Sequence, residues 1–148
     1  MSEQVHELKA ELKADIAETL HGDEGWREYA YKDHLGYWTI GYGRLIDKRR
    51  GGRISEDEGD YMLGNDIEDV YAQLCRRLPW VPALPAPWRR ALINMGFQLG
   101  IGGLMQFKNM LKHVRKGNGR KAKKAGLNSL WARQTPNRAE RVTDLFLK

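Results

Sequence analysis

Residues 24–43 read E-G-W-R-E-Y-A-Y-K-D-H-L-G-Y-W-T-I-G-Y-G, from Glu24 to Gly43, and the reading of this stretch decides the fold. The residues before it carry a helical pattern that Gly22 and Gly25 interrupt. From Tyr29 to Gly43, aromatic and β-branched residues alternate with small and polar ones. That change of period predicts a helix followed by a hairpin. Asp33-His34-Leu35-Gly36 has the chemistry of the connecting turn, because Asp accepts from the amides that follow it and Gly adopts positive φ without strain. In the returning strand Tyr37, Thr39, Gly41 and Gly43 share one face, and Trp38, Ile40 and Tyr42 the other. Thr39 is therefore expected beside a surface cleared by glycines, open to close approach.

Two carboxylates flank the turn from different elements, Glu24 at a helix end and Asp33 at a strand end. Glycoside hydrolysis needs such a pair: one acid protonates the leaving oxygen, and the other carboxylate activates water or attacks the sugar carbon. On these residues alone, a helix terminus at Glu24 and a turn residue at Asp33 are the better explanation of the pattern.

The whole pattern is more specific. Glu-x8-Asp-x5-Thr, set within E-G-W-R-x-x-A-Y-x-D-x-x-G-Y-W-T-I-G-Y-G, closely resembles the catalytic segment of phage-type lysozymes (glycoside hydrolase family 24), the T-even phage type above all. The segment W-A-R-Q-T-P-N-R-A-E-R-V, from Trp131 to Val142, is a second close match. The resemblance implies an endolysin muramidase that hydrolyses the β-1,4 bond between N-acetylmuramic acid and N-acetylglucosamine in peptidoglycan and causes host lysis at the end of infection. It makes Glu24 the general acid and has Asp33 and Thr39 hold and activate the attacking water, with inversion at the anomeric carbon. It further implies that Leu45 and Phe97 contact substrate, that Gln98 hydrogen-bonds the Trp131 indole, and that Arg138 pairs with the catalytic glutamate. Met110 and Ala125 stand where the family has polar cleft residues. Two other readings stay open, a lytic transglycosylase and a non-catalytic basic module that binds wall or nucleic acid.

The implied fold is α+β and predominantly helical: one lysozyme domain with a small β lobe at about 20–54, an inter-lobe helix at 55–79, and a helical lobe at 80–148 on which an N-terminal helix at 3–20 packs, with a cleft between the lobes. The sequence supports these elements independently. Val5, Leu8, Leu12, Ile16 and Leu20 recur at helical spacing, and the first part of that helix precedes the family segment. Arg53-Ile54 has the composition of a short third strand. Ser55-Glu56-Asp57-Glu58 is a capping box. Met62, Leu63, Ile67, Val70, Tyr71, Leu74 and Leu78 then predict a buried stripe, and Pro79 ends the helix. Trp88 to Gly100 reads as a buried helix, Leu104 to Val114 as another, and Thr135-Pro136 as a helix start capped by Thr135.

At 148 residues, burial suffices without disulfide staples. The single cysteine, Cys75, fits a helix face, and His6, His21, His34 and His113 show no metal-ligand spacing, so neither metal nor cofactor is expected. No stretch has signal-peptide or membrane-spanning character. A monomer that stays in the host cytoplasm until a holin-type pore releases it to the wall is the corresponding expectation. From Leu111 onward eleven basic residues face two acids, a net +9, so the remainder carries −3 of the chain's +6. Such a lobe attracts anionic envelope polymers over about 8 Å at physiological salt; nucleic acid is not expected as an obligate partner.

Overall fold

The computed structural model describes residues 9–47 and 52–148, and the chain divides into two compact units, 1–55 and 56–148. Each is built on its own logic.

The first unit opens with helix α1, Ala10–Glu24, which runs through Gly22 and stops at Gly25, whose φ of 70° carries the chain out of the helix. Val5 and Leu8 lie outside the described residues. Three short strands follow, β1 (Arg27–Lys32), β2 (Trp38–Gly41) and β3 (Arg44–Asp47), in an antiparallel sheet of order β1-β2-β3. Tyr31 pairs with Thr39 and Lys32 with Trp38, while β2 meets β3 through Thr39–Leu45 and Ile40–Arg44. The third strand is therefore not Arg53-Ile54, which lies in irregular chain. The expected long second strand instead folds back at Tyr42-Gly43. Gly43, with φ of 70°, closes a two-residue connection that an L side chain would strain.

The second unit begins with helix α2, Glu56–Arg77, directly after Ser55 and ending before Pro79 as expected. Its buried stripe is shorter than the sequence suggests. Leu74 is buried, and Tyr71, Cys75 and Leu78 pack against the core, but Met62, Leu63 and Ile67 are exposed. A 3-10 turn at Val81–Ala83 leads to α3, Ala86–Met105, whose path breaks at Gly100 (φ 74°, ψ 160°). The helix expected over 104–114 is accordingly divided. Leu104 and Met105 finish α3, and α4 spans Lys108–Arg115 after an intervening turn at Gln106-Phe107. Three short helices complete the chain, α5 (Gly119–Leu127), α6 (Leu130–Gln134) and α7 (Pro136–Asp144), with a last 3-10 turn at Leu145–Leu147. Leu92, Met95, Leu104, Val114 and Phe146 are fully or almost fully buried at the centre of the core. At the crossing of α2 and α3, a side chain at Gly96 would sit 3.0 Å from Val70, so glycine lets the two helices approach. Among the described residues no helix is long and apolar enough to cross a membrane.

Candidate active site

Glu24 is the last residue of α1, and its carboxylate lies over the backbone of Gly43. A Cβ built on Gly43 would fall 2.3 Å from Glu24 Oε2 and 2.7 Å from its Cδ. The space cleared by glycine is thus occupied by the carboxylate of the expected acid itself. An aromatic brace stands beside it: His21, one turn before Glu24, stacks on Tyr42 at 4.3 Å, and Trp26 tilts against the same ring at 5.1 Å. Sequence reading gave none of these three rings a role. The available signal was their position, one turn before Glu24, two residues after it, and immediately before Gly43.

Asp33 shapes the turn that it begins. Its Oδ1 accepts from the amides of Leu35 and Tyr37, each at 2.9 Å, and its own amide donates to the Tyr37 carbonyl at 2.9 Å. With Oδ1 held by two amides, the carboxylate plane is fixed and Oδ2 is left for another partner. Thr39 lies on β2 and is 4 % exposed, the one buried residue in the described part of this unit. Its Oγ1 donates to the same Tyr37 carbonyl at 3.1 Å, so a single backbone oxygen anchors both Asp33 and Thr39. Having spent its proton there, the Thr39 hydroxyl can offer only lone pairs to a further partner. Leu45, paired with Thr39 across the sheet, is half exposed on β3, and His34 is an exposed turn residue.

The remaining expected residues lie in the helical unit. Gln98 Oε1 accepts from the Trp131 indole N–H at 2.9 Å, linking α3 to α6, and Phe107 meets the Trp131 ring edge-on at 5.9 Å. Phe97 is 45 % exposed and lines a groove of about 400 Å³ with Leu63, Ile67, Asn94 and Arg138. Arg138, in the first turn of α7, donates from Nε to Asn94 Oδ1 at 3.1 Å. Thr135 occupies the cap position of α7, but its hydroxyl donates back to the Trp131 carbonyl at 3.0 Å and leaves the helix amides without a side-chain cap. The expected cap bond is therefore replaced by a tie to α6. Met110 is buried in the core, yet with Ala125 it forms part of the wall of a cavity of about 390 Å³ in which the amides of Gln106, Asn109, Asn128 and Gln134 surround Phe107 and Trp131. Those amides were missed because Asn and Gln scattered over four elements form no local pattern.

The sequence pattern of the phage lysozyme family matches residues 21–143, a span that takes in every residue of the candidate site. The chain belongs to the phage lysozyme family. As a lysozyme it is a glycoside hydrolase. Its relatives include the pre-baseplate central spike protein Gp5 of Enterobacteria phage T4, 35 % identical over 157 aligned positions that cover 89 % of this lysozyme and 27 % of the spike protein. Probable T4-type lysozyme 1 of Dictyostelium discoideum is 28 % identical, with 91 % of this chain and 95 % of the relative covered. The peptidoglycan hydrolase gp36 of Pseudomonas phage phiKMV is 30 % identical over 87 % of this chain and 15 % of its own length. This lysozyme thus spans nearly all of one relative and a small part of two others.

Proposed function

We propose that the chain is a muramidase that cleaves the β-1,4 bond between N-acetylmuramic acid and N-acetylglucosamine with inversion. Glu24 gives its proton to the leaving glycosidic oxygen as the bond to the anomeric carbon breaks. A water attacks that carbon from the opposite face while Asp33 takes the water's proton. The Thr39 hydroxyl accepts from the water's other O–H and orients it. The observation that carries this reading is the shared Tyr37 carbonyl: it fixes Asp33 and Thr39 in one frame, with Oδ2 and the Thr39 lone pairs left to a water. The amide-lined cavity around Trp131 supports it, since amides and aromatic rings suit the hydroxyls, N-acetyl groups and apolar faces of sugars.

The test is digestion of purified peptidoglycan with mass analysis of the new ends. Reducing N-acetylmuramic acid is expected from wild type, and Asp33→Asn is expected to release little. Anhydro ends would move the chain to the transglycosylases, and absence of release would favour a binding module.

The proposed biological role is lysis of the host from within, after access through a holin-type pore. A second reading has a specific observation behind it. Two phage relatives match over only 27 % and 15 % of their length, and one of them is named as a baseplate spike. Local wall digestion by a virion-borne enzyme is the role this would give. Detection of the chain in purified virions would decide for it.

A further inference from the structure

On helix α5 of the second unit one cation is held in ion pairs, and on the neighbouring α4 none is, among the described residues. On α5, Lys123 is drawn between Glu140, at 2.7 Å, and Asp144, both on α7. On α4 and its C-terminal cap, Lys108, Lys112, Arg115 and Lys116 lie on one side, exposed, and none forms an ion pair with a described residue. The four line a groove of about 560 Å³ whose other walls are Leu78, Trp80 and Leu111, and no acid contributes to it. Like charges a turn apart repel one another, and nothing in the groove offsets that repulsion.

We propose that this groove is an exosite for the peptide arms of peptidoglycan, binding their carboxylates on the α4 cations and their aliphatic parts on Leu78, Trp80 and Leu111. The proposal rests on the reading of the chain as a peptidoglycan hydrolase. Three features select this occupant. The groove is concave and its tryptophan is half-buried, whereas a bilayer surface is met by protruding aromatics. It holds a single aromatic ring, whereas single-stranded nucleic acid is bound by a succession of stacking platforms. Lys108 also lines the amide-rich cavity around Trp131, so the groove continues from a surface suited to sugars. Carboxylates at the ends of flexible peptides match lysine point charges and the Arg115 fork.

The test uses the full chain carrying Glu24→Gln, so that binding is read without digestion, with and without Lys112→Glu, Arg115→Glu and Lys116→Glu. Lys108 is left intact because it borders both surfaces. Binding is measured on purified sacculi with free carboxylates, on the same sacculi after chemical amidation, and on phosphatidylglycerol vesicles. The reversal is expected to weaken binding to untreated sacculi roughly tenfold or more, to the level both proteins show on amidated sacculi. Unchanged affinity for untreated sacculi would overturn the proposal, as would a loss confined to vesicles. Unchanged thermal unfolding verifies that the reversed chain is folded. With Glu24 intact, release of reducing ends from amidated sacculi should be the same with and without the reversal. Absence of release from both would overturn the hydrolase reading itself, separately from the exosite.

Discussion

The two units hold their functional residues by different physics. In the described part of the first unit Thr39 alone is buried, and the site is held by turn hydrogen bonds and by the contact of Glu24 with Gly43. The second unit packs sixteen buried apolar residues into one core, and Gln98 and Trp131 are positioned by it. Each unit has a glycine standing where a side chain would collide with a neighbour. At Gly43 the neighbour is the movable end of a side chain; at Gly119 it is backbone, the carbonyl oxygen of Phe146, 1.8 Å from where a Cβ would stand. The contrast teaches that similar substitutions should damage activity in one unit and folding in the other.

The largest stability effect is therefore expected from Gly119→Ala. Backbone cannot swing aside as a carboxylate can, so chemical denaturation should show a loss of about 3 kcal/mol. A loss near zero would remove the contrast. Gly43→Ala should cost only about 1 kcal/mol of stability, from its positive φ, while displacing Glu24 enough to lower turnover on the order of a hundredfold. Equal stability losses in the two variants would break the comparison from the other side.

These sites differ also in how far sequence reveals them. Asp33, Gly36 and Thr39 could be placed because an Asp accepting from amides two and four residues on is local chemistry. The fold-back at Gly43 was hidden because Tyr42-Gly43 prolongs the same alternation that marks β2, and Arg44–Asp47 is too short to announce a strand. The break at Gly100 was legible as the end of the Trp88–Gly100 helix, but the separate start of α4 was not, because Gln106-Phe107 carries no local turn signal. In α2, periodicity identified an apolar stripe, but how much of it the core of the second unit reaches is a tertiary property. Thr135 shows the limit for caps, since its hydroxyl had two partners within reach and chose the carbonyl of Trp131.

Gln98→Leu sharpens the account of the second unit. It leaves a nearly buried indole N–H without a partner, and a loss of about 1–2 kcal/mol is expected in denaturant unfolding. A neutral result would mean that core packing alone places Trp131.

The smallest effect is assigned to Lys123. Hydrogen bonds to Asp144 first and to Glu140 second raise its pKa above the ordinary 10.5. A raised ammonium contributes fully below its unfolded value, and the contribution fades as pH rises through the folded value. Both carboxylates are about half exposed, so the network is worth no more than about 1 kcal/mol. Lys123→Met should lower the melting temperature by about 2–4 °C near neutral pH, and the gap should close as the pH is taken above the ordinary lysine range. A gap that widens with pH would contradict the assignment.

The most direct test of the central claim compares wild type with Glu24→Gln, measuring reducing ends released from purified peptidoglycan alongside thermal unfolding. Glu24 is exposed and the change keeps its shape, so unfolding should be unchanged while turnover falls roughly a thousandfold. Undiminished turnover by the variant would remove Glu24 as the acid and with it the account of the site.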